Sequence, residues 1–109
     1  MTTVTKTDRS REANPVSWAA ASGGGDEFVN NGKEILMVNH TNSGGAGVTL
    51  TIVTQSTVDG QAIADRTVAI GAGEFHPLGP FDKGVYNDAN GKVQLTWSSS
   101  TDVSIAVLN

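Results

Sequence analysis

The chain has no cysteine, so neither disulfide bridges nor thiolate chemistry is open to it. Charge is sparse as well. Only 17% of the residues are charged, and seven basic residues stand against eleven acidic ones. A net charge of -4 leaves no cluster of Lys and Arg for neutralising phosphates, which argues against a nucleic-acid partner. No apolar run approaches the roughly 20 residues that cross a bilayer as a helix. The opening stretch, Met1 to Lys6, lacks the apolar segment of a secretory signal. The expectation is a soluble protein made in the cytoplasm, with no membrane partner. Aromatics are few, at 6%.

What is present suits strands. Val, Ile, Leu and Thr dominate, and 13 glycines punctuate them. At 109 residues the chain makes one domain with a modest core, and a body of this size gains from association. Charge is unevenly placed. Residues 1–14 hold Lys6, Arg9 and Arg11 against Asp8 and Glu12, whereas the remainder carries all the negative excess. This polar segment without periodicity reads as a flexible N-terminal arm, and residues 15–109 as a β-sandwich domain. Thr2 and Val4, with neighbouring threonines, have the composition to add a strand to another subunit's sheet edge, and the positive charges suit an acidic protein surface.

From Pro15 on, short apolar runs alternate with turn signals. Residues 16–20 form a weak edge-type strand candidate, and 22–26 a loop. Residues 33–39 are apolar on both faces, while Val48, Leu50 and Ile52 alternate strictly with threonines. Asp59-Gly60 marks a turn; Val68 and Ile70 align in 66–70, and Phe75 and Pro77 share one side of 74–78. After the Asn87–Gly91 turn, Val93, Leu95 and Trp97 align, then Val103, Ile105 and Val107. A hint of helix at 61–66 is too short to nucleate alone. The pattern predicts an all-β single domain, a β-sandwich or jelly-roll-like barrel of about seven to eight short antiparallel strands.

Chemistry-bearing residues are scattered. His40 and His76 have no neighbouring ligand and read as surface or loop-end histidines rather than a metal site. The serines at 98–100 lack the turn that exposes a nucleophile, so a triad with His76 and Asp82 is disfavoured. Asp82, Asp88 and Asn90 lack the spacing of a calcium loop and read as turn residues bonding their own backbone. Glycines 44–47 lack the Lys-Ser/Thr of a phosphate cradle. No catalytic residue, cofactor or metal is expected. Trp97 lies on an apolar stripe and reads as core. Trp18 stands among Ala and Ser as either a lid on the core or an interface anchor. Phe81 and Tyr86, flanking a loop, are further interface candidates.

One run of features goes further. Thr67 to Ile70 precedes Gly71-Ala72-Gly73-Glu74, then Gly79-Pro80-Phe81, Val85-Tyr86-Asn87-Asp88, Gly91-Lys92-Val93 and a closing strand pair, with Asn31-Gly32 and residues 36–39 upstream. Over residues 16–109 this layout resembles the small tailed-phage proteins that decorate or cement the capsid. The resemblance implies a homotrimer or other homo-oligomer on the outer surface of the phage head, with the major capsid protein as partner and no catalysis. Thr2, Val4, Lys6, Arg9, Arg11, Trp18, Phe81 and Tyr86 are then the expected partner-binding residues. Two other readings remain: a carbohydrate-binding β-sandwich using Trp18, Tyr86, Asp88 and Asn90, or a neck or tail component of a virion.

Overall fold

A computed structural model describes residues 2–8, 10, 15–42 and 44–109. The strands are β1 (Thr2–Thr3), β2 (Lys6–Thr7), β3 (Ala19–Ala20), β4 (Asp26–Val29), β5 (Ile35–His40), β6 (Val48–Ile52), β7 (Thr57–Val58), β8 (Gln61–Ala62), β9 (Arg66–Ile70), β10 (Phe75–Leu78), β11 (Lys92–Trp97) and β12 (Val103–Leu108), with one short helix α1 (Lys83–Tyr86) before β11. The protein is all-β, with more strands than the expected seven to eight because several are only two residues long.

The first sheet, A, runs β1-β4-β11-β6-β9, and the second, B, runs β10-β5-β12-β2, with β3 also on β12. Period-2 alternation decides which side chains meet between them. Phe28, Val93, Leu95, Leu50, Ile52 and Ile70 from sheet A join Leu36, Val38, Val103, Ile105 and Val107 from sheet B in one buried cluster. β7 and β8 form a separate hairpin, Val58 pairing with Gln61 across Asp59 and Gly60. Both turn residues have positive φ, 53° and 73°, the left-handed geometry a two-residue hairpin loop needs. Residues 61–66, whose hint of helix is too short to nucleate, supply β8 and enter β9.

The N-terminal residues take a place that composition did not predict. β1 pairs in parallel with Asp26 and Glu27 of β4, and β2 pairs in parallel with Val107 and Leu108 of β12. The chain therefore crosses from the edge of one sheet to the edge of the other. Val4, between the two strands, is 5% exposed and belongs to the core. β1 and β2 are strands of the sandwich, and they close one of its flanks. Composition misled here because polar side chains do not stop the main chain from pairing with a neighbouring strand.

The opposite flank is open. There the free edges of β9 and β10 face solvent, one from each sheet. Gly79 sits at this corner with φ 121°, and a Cβ on it would lie 2.9 Å from the Glu34 carbonyl oxygen. Only glycine fits both conditions.

Candidate interaction surfaces

The two outer faces of the sandwich differ in chemistry. Sheet A turns outward Glu27, Lys92, Gln94, Thr96, Thr49, Thr51 and Thr67, the partners that alternate with its core residues. The charged and amide side chains among them are paired. Lys92 Nζ is 2.8 Å from Glu27 Oε2, Thr3 donates to the same carboxylate at 3.4 Å, and the Gln94 amide donates to Asp88. The hydrogen bond and charge of Lys92 hold Glu27 below the usual carboxylate range.

Sheet B turns outward a different set. Registers β5–β12 and β10–β5 place Ile35, Met37, Ala106, Leu108, Phe75 and Pro77 on this face, with Asn39 and Ser104. Two large aromatics cap it. Trp18 is 42% exposed and Phe75 49%, and their rings meet edge to face at 5.8 Å. Ala19 pairs with Ile105, so the register continued by one residue sets Trp18 level with Ala106. Ala106 is fully buried although it points outward, which requires such a cover. Trp18 thus reaches from the β3 edge of sheet B towards β10, shielding part of an apolar face while exposing its own ring. Of the two roles its sequence context left open, the structure shows the cover, with Trp18 lying over the outer face of sheet B and 42% of its own surface exposed.

The other expected partner-binding residues are dispersed. Thr2 is exposed, but its backbone N–H donates to Gly25 O within the same chain. Val4 is buried, and Lys6 Nζ is held 2.7 Å from Glu34 Oε2. Arg9 and Arg11 lie outside the described residues. Phe81 is not a surface anchor: it is 4% exposed, tilted against Phe28 at 5.8 Å, and part of the core. Tyr86 is half-buried, edge-on to Phe81 at 5.6 Å, and its hydroxyl accepts from Arg66 Nε at 3.1 Å.

Those last residues line a cleft of about 250 Å³ at the open flank, between Ile52, Arg66 and Val68 on one side and Leu78, Pro80, Phe81 and Tyr86 on the other. The loop carrying Phe81 is tied down from below. Asn30 Nδ2 donates to Phe81 O at 2.9 Å and to Asn87 Oδ1 at 2.7 Å, while Asn87 Nδ2 donates back to Asn30 O at 2.9 Å. In the sequence Asn30 is masked by the adjacent Asn31-Gly32 turn signal, and Asn87 reads only as the first residue of a turn.

The polar residues weighed for chemistry are engaged locally. His40 is buried, with Nε2 2.8 Å from Ala46 O and Nδ1 accepting from Asn42 N, so it is a core histidine rather than a surface one. The two partners assign the ring proton to Nε2. His76 faces Glu74 Oε1 at 3.0 Å, which together with the Gly71 N–H lowers the Glu74 pKa. Asp82 caps α1 through Gly84 N, and Asp88 accepts from the N–H groups of Asn90 and Lys92, the expected use of turn carboxylates. The serines at 98 and 99 accept from Thr49 N and Thr101 N. Among the described residues no group of three His, Cys, Asp or Glu side chains converges on one point. One core group is less provided for: Asp26 accepts from Ser22 N and Trp97 Nε1 through Oδ2, but its buried Oδ1 has no partner among the described residues.

No family model, curated protein or solved structure matches this chain.

Proposed function

We propose that this chain is a non-catalytic decoration protein of a tailed-phage capsid, a homo-oligomer that seats the outer face of sheet B on neighbouring capsid subunits. The observation that supports the reading is the contrast between the two faces. Sheet A presents mostly threonines and a paired Lys92 and Glu27, with Val29 exposed beside them, whereas sheet B presents Ile35, Met37 and Pro77 on the same face as the exposed pair Trp18 and Phe75. Central aromatics over an apolar patch are the anatomy of a binding hot spot. The acidic body suits a shell exterior more than contact with packaged nucleic acid. Bridging adds interface area that must be broken before the shell ruptures, and an oligomer makes its later contacts intramolecular. The specific partner class comes from the resemblance carried by residues 16–109.

The test is co-sedimentation of the purified full-length chain with expanded capsids of its phage, together with capsid heat stability. Saturable binding that raises the rupture temperature supports the reading. Lack of binding, or binding unaffected by Trp18→Ala with Phe75→Ala, overturns it.

A further inference from the structure

The two strands at the open flank end in unlike edges. In β10, Glu74 O accepts from His40 N, which sets the alternation of the ladder with β5. Residues 74, 76 and 78 therefore bond inward, and Phe75 and Pro77 face solvent. Pro77 has no N–H, so this edge lacks a donor at its centre, a common guard against strand pairing. In sheet A, Ser98 N donates to Thr49 O and Val53 N to Gln94 O, so Thr49, Thr51 and Val53 bond towards β11. Val48, Leu50 and Ile52 then bond β9 through Ile70, Val68 and Arg66. The N–H and C=O groups of Thr67 and Ala69 point away from the sheet. Both residues are exposed, and neither proline nor a bulge guards them.

Beside this open edge lies the cleft lined by Ile52, Val68, Leu78, Phe81 and Tyr86. An added strand would place the side chain opposite Val68 on the core side, over that apolar cleft. Two residues along, the side chain opposite Arg66 would point the same way. Arg66 is exposed, its Nε donates to Tyr86, and no carboxylate pairs with it among the described residues.

We propose that β9 is a strand-acceptor edge that binds an extended segment of another protein, antiparallel, with an apolar residue in the cleft and an acidic residue two positions later on Arg66. The backbone of Thr67 and Ala69 supplies the hydrogen bonds, and the cleft and the guanidinium supply the selectivity. The order apolar then acidic follows from the antiparallel direction. This inference uses a different surface from sheet B's outer face and stands independently of the capsid reading.

The probe is a blocked heptapeptide of threonines with leucine at its third and glutamate at its fifth position, titrated into the full ¹⁵N-labelled chain. Amide exchange at Thr67 and Ala69 is expected to slow about tenfold at saturation, as their N–H groups become bonded. Lysine in place of the glutamate should weaken binding about fivefold, and serine in place of the leucine about tenfold. Arg66→Glu should reverse the preference between glutamate and lysine peptides. Ala69→Pro should abolish binding by giving β9 the guard that β10 has, and its N–H is not needed by β6. Should that variant not fold, a peptide N-methylated at its two bonding amides makes the same test on the unaltered chain. Unchanged exchange at Thr67 and Ala69, equal affinity for the two charges, or undiminished binding of the methylated peptide overturns the proposal. So does a self-associated chain that Ala69→Pro dissociates, since the edge would then serve a second copy.

Discussion

Lys6 Nζ lies 2.7 Å from Glu34 Oε2, joining the second strand of the chain to a carboxylate that is fully buried at the start of β5. Glu34 Oε1 also accepts from Asn31 N at 2.7 Å and Lys33 N at 3.3 Å. Burial alone would raise the Glu34 pKa, but Lys6 and the main-chain donors outweigh it, and the carboxyl sits below its usual range. The N-terminal segment is thereby fastened by an ion pair as well as by strand pairing.

The first prediction concerns acid stability. A group whose folded pKa is depressed adds stability above its unfolded value, about 4.3 for glutamate, and loses it as pH falls through the folded value. Glu34→Gln should therefore cost about 3 kcal/mol near neutral pH, since it leaves Lys6 without its partner. The variant should also lose less stability than the unaltered chain as pH falls below about 4. Urea unfolding at several pH values reads both effects.

Phe81 tests the difference between an interface residue and a core residue. Its ring packs against Phe28 and Tyr86, so Phe81→Ala should lower unfolding free energy by about 3–5 kcal/mol. Tyr86→Phe removes only the hydroxyl that accepts from Arg66 and should cost under about 1 kcal/mol at this half-exposed site. Chemical denaturation of the two variants side by side separates them.

The paired asparagines predict a local effect. Asn30→Ala leaves Phe81 O and the Asn87 side chain short of partners in a buried setting, and should cost about 2 kcal/mol. Hydrogen exchange should accelerate first in residues 79–88, ahead of β5 and β12, because this pair anchors that loop.

Sheet B's outer face predicts a division between binding and folding. Trp18→Ala and Phe75→Ala should each weaken capsid association by about 2 kcal/mol, near thirtyfold. Val29→Ser, on sheet A's outer face, should leave it unchanged. Quantitative co-sedimentation distinguishes the two faces.

Much of the strand pattern was legible in the sequence. The alternation of Val48, Leu50 and Ile52, of Val93 and Leu95, and of Val103, Ile105 and Val107 names core side chains that are all buried. Asp59-Gly60 and Asn87 to Gly91 mark real turns. The sites were less legible. Val4 and Phe81 look like surface residues from their polar or loop neighbours, yet each is enclosed by strands distant in the chain. Trp18 owes its place over sheet B to the pairing of Ala19 with Ile105, 86 positions on, and no local pattern encodes that pairing.

Residues 2–7 mark the division most clearly. The sequence by itself determined an all-β chain, the phase of its longer strands and the residues that turn it, because period-2 burial and turn conformations are local properties. Which strands become neighbours is a long-range choice. It depends on the joint burial of two sheets, and on main-chain bonds that are alike for every side chain. Only the tertiary structure decided that the polar first residues close one flank, with Lys6 drawn onto Glu34, and that β9 is left as an open edge at the other.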